Sequence, residues 1–146
     1  YVGYGEVITD GANPDHSWLG QGGRLRGTSP PRLAFLRRIL ESGPLPGIDP
    51  IQQFWDYHLG GRDFSWYLKY FGSARPTEWA VVLPTRAKDP HHSFRIDIID
   101  TWGMTITPVE GVFTMAQLNE YDVHDPRRPV IRLPGKPYVA VRMTKV

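Results

Sequence analysis

The chain has 146 residues, 40% of them apolar and 12% aromatic, with 17 basic and 15 acidic side chains and a net charge of +2. There is no cysteine, so disulfides, thiolate chemistry and cysteine-ligated zinc are excluded. No apolar run reaches the roughly 18 residues of a membrane span, and a surplus of two charges is too slight to mark a nucleic-acid binder. Neither a membrane nor a nucleic acid is therefore expected as a partner. The 15 glycines and 14 prolines point to many turns between short elements, which favours a mainly β body.

The first stretch, Tyr1–Val7, reads as a strand with Val2, Tyr4 and Glu6 on one face. A loop rich in Gly, Asn, Pro and Asp follows over Thr9–Thr28, a length at which loops usually carry function or lack order. "SPPRLAFLRRILESG" then predicts a helix. Ser29 suits the N-cap, Pro30 the first turn and Gly43 the stop. Leu33, Leu36, Ile39 and Leu40 form its apolar stripe, and the arginines around them read as a solvated face. The segment "PLPGIDPIQQFWDYHLGGRD" reads as a connection, with a helical turn over Ile51–Trp55.

From Phe64 onward the period changes to two. Phe64, Trp66, Leu68 and Tyr70 share a parity, as do Trp79, Val81 and Leu83. So do Phe94, Ile96, Ile98, Trp102, Met104 and Ile106, then Ile131 with Leu133, and Val139 with Val141 and Met143. Such alternation is the mark of half-buried antiparallel strands. Six or so of them, spaced by short turns, suggest a β-sandwich. "DTWG" is expected to reverse the fourth run, with Asp100 capping the bend through backbone N–H groups. The chain thus divides into a βα part over 1–58 and a β-sandwich over 59–146. A lone strand and helix bury too little surface to stand alone, so the first part is expected to complete a larger body or to pack on the second.

Taken together, "GYGEV", "GGRLRGTSPPRLAFLRRILE", "WYLKYFG", "FRIDIIDTWGMTIT" and "LPGKPYVAVRM" resemble the C-terminal part of a group of glycoside hydrolases. These are related to apiosidase-like and cellulase-like (β/α)8-barrel enzymes, and carry a C-terminal β-sandwich, domain of unknown function 5605, after the barrel. The resemblance implies that Tyr1–Val7 is the last barrel strand, Thr9–Thr28 the last βα loop and Ser29–Ser42 the last barrel helix. It departs from the family pattern at Tyr4, where that pattern has His. Barrel enzymes place their sites at the C-terminal ends of the strands, where Glu6 would then sit.

Glycoside hydrolysis generally uses two carboxyl groups, about 5–5.5 Å apart in retaining enzymes and about 6.5–9.5 Å apart in inverting ones. The resemblance puts both on earlier barrel strands, so no catalytic residue is expected in this chain. Tyr4, Glu6, His16 and Trp18 are the expected substrate contacts, through stacking on sugar C–H faces and hydrogen bonds to hydroxyls. The expected partners are a carbohydrate substrate and the N-terminal remainder of the same barrel. No metal or other cofactor is expected, since His16 has no second His at ligand spacing. Trp66, Trp79 and Trp102 lie on the core parity, and their simplest use is burial. The alternative function is a non-catalytic carbohydrate-binding or structural module, which would need at least two of these rings exposed.

Overall fold

The computed structural model describes residues 29–53, 56–81, 93–114, 126 and 128–146. The expected strand Tyr1–Val7 and loop Thr9–Thr28 lie outside them. Within them the protein is mainly β, with antiparallel sheets and one helix, α1 (Ser29–Glu41). The strands are β1 (Ile48–Gln53), β2 (Asp56–Gly61), β3 (Trp66–Tyr70), β4 (Glu78–Ala80), β5 (Ser93–Asp100), β6 (Thr105–Pro108), β7 (Phe113–Thr114), β8 (Val130–Arg132) and β9 (Val139–Lys145).

Seven strands form one sheet in the order β1-β2-β3-β9-β5-β6, with β7 pairing β5 beside β6. β4 and β8 form a second, two-stranded sheet. β9 lies inside the sheet, paired with β3 on one side and β5 on the other, and both of its faces are covered: Val139, Val141 and Met143 are fully buried on one and Ala140 on the other.

Two apolar clusters flank the large sheet. On one face Tyr67, Phe94, Ile96, Val139, Val141 and Met143 meet Val81, Ile131 and Leu133, which come from the small sheet and the residues flanking it. On the other, Trp66, Leu68, Ile99 and Ala140 meet Phe35 and Ile39 of α1. The order of layers is helix, large sheet, small sheet. The expected pairing of two sheets through a shared core is present, and no barrel strand occurs among the described residues.

Three local expectations are revised. Ile51–Gln53 are extended, not helical: β1 and β2 form a hairpin that sets Ile51 opposite His58 and Pro50 opposite Leu59. Pro50 is tolerated because β1 is an edge strand among the described residues, and Gly60 of β2 gives room to the Ile51 side chain, which a Cβ there would displace. The helix buries Phe35 and Ile39, whereas Leu33 and Leu36 are exposed, so the buried face is rotated from the leucine stripe. α1 does stop just before Gly43, where the glycine serves packing: a Cβ there would lie 2.8 Å from Ile48 Cγ2. Gly43 is not among the left-handed glycines.

The reversal at "DTWG" forms as expected. β5 ends at Asp100, β6 begins at Thr105 and the two pair antiparallel. Asp100 Oδ1 accepts the backbone N–H groups of Trp102 at 3.0 Å and Gly103 at 2.7 Å.

Candidate functional site: an exposed aromatic pair

The cap on Asp100 has a consequence for the residue it turns outward. Trp102 sits in the tight turn and is 61% exposed, so the expectation that it joins the core is corrected. Alternation along β5 has no meaning past Asp100, where the chain reverses. Trp66 is buried in the helix-side cluster, with its indole N–H lacking a hydrogen-bond partner. Trp79 is half-buried and meets Phe71 edge to face, with centroids 6.0 Å apart.

Trp102 is accompanied by Tyr138. Their ring centroids are 5.9 Å apart with planes inclined by 32°, and Tyr138 is 41% exposed. Tyr138 is held in the left-handed region, at φ 62°, an uncommon conformation for a bulky side chain. The sheet fixes it there. Its N–H donates to Gly72 O at 2.7 Å on one side. Its carbonyl accepts Thr101 N–H at 3.1 Å and Thr101 Oγ1–H at 2.6 Å on the other. Met104, closing the turn after Trp102, is also left-handed, at φ 56°. Two non-glycine residues in a costly backbone state thus bracket the exposed rings.

The helix supplies the third member. The Arg32 guanidinium lies over the Trp102 ring with its carbon 3.6 Å from the centroid, a cation–π contact. With this contact in place Trp102 remains 61% exposed. Lys136 Nζ stands 3.7 Å from Asp100 Oδ2, the oxygen that the turn cap does not use. The group therefore offers an exposed indole, a neighbouring phenol and a charged pair at the same turn.

At the other end of α1 the contact is polar. Arg142 on β9 donates to Asp97 Oδ2 on β5 through Nε at 3.0 Å and a terminal nitrogen at 2.7 Å. Its remaining nitrogen donates to Ser42 Oγ at 3.0 Å, and Ser42 Oγ–H donates to Ile39 O at 2.6 Å. α1 thus runs alongside β9, clamped at its start by Arg32 on Trp102 and just past its end by Ser42 on Arg142.

Tyr4, Glu6, His16 and Trp18, the expected substrate contacts, lie outside the described residues. The sequence does not flag the aromatic pair: parity places Trp102 in the core, and nothing marks Tyr138.

The fold and its surface define a small antiparallel β domain with a docked helix and an aromatic patch at one end of that helix. A family model matches residues 55–144, and the chain belongs to that family, a domain of unknown function (DUF5605). Among solved structures it resembles a crystal structure at 1.80 Å described as a "putative glycoside hydrolase" from Bacteroides vulgatus ATCC 8482. The identity is 30% and the TM-score 0.71, over 86% of this chain and 25% of the other. The chain thus spans about a quarter of the length of that protein. A search of functionally curated proteins finds no match.

Proposed function

We propose that the chain is the C-terminal part of a glycoside hydrolase, in which the β domain buttresses a catalytic (β/α)8 barrel. The observation that carries this reading is the likeness to the Bacteroides protein, which covers 86% of this chain at 30% identity. The helix supports it. Phe35 and Ile39 face the sheet, while Leu33 and Leu36 form a second apolar surface, 40% and 45% exposed. A helix apolar on two sides suits a place between two bodies, which is where the last barrel helix would lie. On this reading the barrel end runs through α1, and the accessory domain begins with the β1–β2 hairpin, which is part of the large sheet. Tyr4, Glu6, His16 and Trp18 contact substrate, and the two hydrolytic carboxylates come from the rest of the barrel.

The test is release of nitrophenol from a panel of nitrophenyl glycosides, by this chain alone and by a protein carrying it behind a complete barrel. No turnover is expected from the chain alone, and turnover is expected from the larger protein. Turnover by the chain alone that is abolished in Glu6→Gln would overturn the placement of the carboxylates. Failure of the larger protein to act on any glycoside or polysaccharide would overturn the assignment as a hydrolase.

A further inference from the structure

We propose that Trp102 and Tyr138 form an outlying sugar-stacking subsite that the β domain contributes to polysaccharide binding, an inference that rests on the hydrolase reading above. The exposed surface of the Trp102 ring is the acceptor surface. Its π cloud is electron-rich, and Arg32 beneath it fixes the ring's orientation. A pyranose ring presents a face of polarised C–H bonds and an equatorial rim of hydroxyls. With that face on the indole, the tilted Tyr138 ring walls one side, and Asp100 Oδ2 and Lys136 Nζ offer an acceptor and a donor to the rim.

Two arguments favour a sugar over a protein surface as the occupant. The first is backbone strain. At φ 62° a glycine would be at ease and a tyrosine is not, so the side chain of Tyr138 is retained against local conformational preference. It is not retained for the core, since it is 41% exposed. The second is position. Arg32 belongs to the first turn of α1, so the rings lie at the N-terminal end of that helix. In a (β/α)8 barrel each helix begins at the end where the preceding strand finishes, and the active site is at that end. A platform there extends the binding surface beyond the catalytic cleft, where a polymer would continue and a short glycoside would not reach.

The test is affinity electrophoresis of this chain in native gels cast with hydroxyethylcellulose, arabinoxylan or citrus pectin. Retardation is expected in at least one gel. Trp102→Ala should abolish it, Tyr138→Gly should weaken binding about tenfold, and the control Val130→Ala, an exposed residue of the small sheet, should leave it intact. Tyr138→Gly separates binding from folding, because it relieves the left-handed strain and should melt no lower than the parent chain while binding less. Absence of retardation in all three gels, or equal retardation of Trp102→Ala and the parent, overturns the subsite and assigns the patch to a protein contact. Either result leaves the hydrolase reading standing, since that falls only with the loss of sugar release by the larger protein.

Discussion

The two faces of the seven-stranded sheet are built differently. Toward the small sheet the contact is dry and aliphatic, with Ile96, Val139, Val141 and Met143 at or near zero exposure and Tyr67 meeting Phe94 edge to face at 5.9 Å. Toward α1 the apolar contact among the described residues is smaller, six buried residues against nine, and polar or cationic contacts complete it: Arg142 to Asp97 and Ser42 at one end, Arg32 on Trp102 at the other. The first face is where the stability of the domain resides. The second holds a helix in a defined orientation, and polar contacts suit that task because they fix geometry as well as attract.

Substitutions on the two faces should therefore differ in kind. Phe94→Ala empties the dry face and is expected to cost about 4 kcal/mol, seen as a lower urea midpoint, with every amide losing hydrogen-exchange protection together. Ile39→Ala is expected to cost about 3 kcal/mol of helix docking, with the amides of α1 losing protection while those of β9 keep theirs. If β9 and α1 exchange in step in Ile39→Ala, the two faces are one cooperative unit and the contrast fails.

Next in size is the clamp. Arg142 and Asp97 side chains are 18% and 21% exposed, between the surface pairs worth about 0.2–1 kcal/mol and the fully buried ones whose rupture costs about 3–5 kcal/mol. Arg142→Met should cost about 2 kcal/mol, most of it from leaving Asp97 without its partner. A double-mutant cycle with Ser42→Ala checks the link to the helix. Coupling near zero between Arg142 and Ser42 would reduce the clamp to a sheet-internal pair. By contrast, the Asp49–Arg62 pair, at 2.9 Å but with both side chains more than half exposed, should be silent in the same assay.

How far the sequence revealed this arrangement follows from the same contrast. Strands β3, β5 and β9 were legible because alternation marks them, and the reversal at Asp100 because an Asp before an exposed turn with Gly is self-explanatory. What alternation could not show is a sheet buried on both faces. It assumes one solvated side, so Tyr67 and Ile99, out of step with their neighbours, read as surface and are instead fully buried. The hairpin of β1 and β2 was hidden by Pro50 and the paired glycines, residues that signal loops unless an edge strand excuses them. In the candidate site, Trp102 was misplaced by counting parity through a turn. Tyr138 was invisible because its left-handed backbone is imposed by hydrogen bonds to Gly72 and Thr101 from two other parts of the chain. The fold's local rules were written in the sequence; the exposed pair depends on tertiary contacts that local rules do not contain.

The smallest expected effect concerns a flaw in the dry face itself. The hydroxyl of Tyr67 is buried there without a hydrogen-bond partner, which costs about 1–3 kcal/mol for such a group. Tyr67→Phe removes the oxygen and keeps the ring against Phe94, so it should raise stability by about 1 kcal/mol. The same burial, with a smaller contribution from the negative charge of Asp63, pushes the Tyr67 phenol up to about 12, against about 10 in an unfolded chain. The raised value means that the folded state holds its proton where the unfolded state has released it. This contribution is fully present below pH 10 and is lost as pH rises from about 10 through 12. Urea midpoints at pH 9 and pH 11 should therefore fall further in the parent chain than in Tyr67→Phe, whose unfolded state has no such proton to lose. Parallel falls in both would mean that the hydroxyl has found a partner or a path to water, and the dry face would be less closed than its packing indicates.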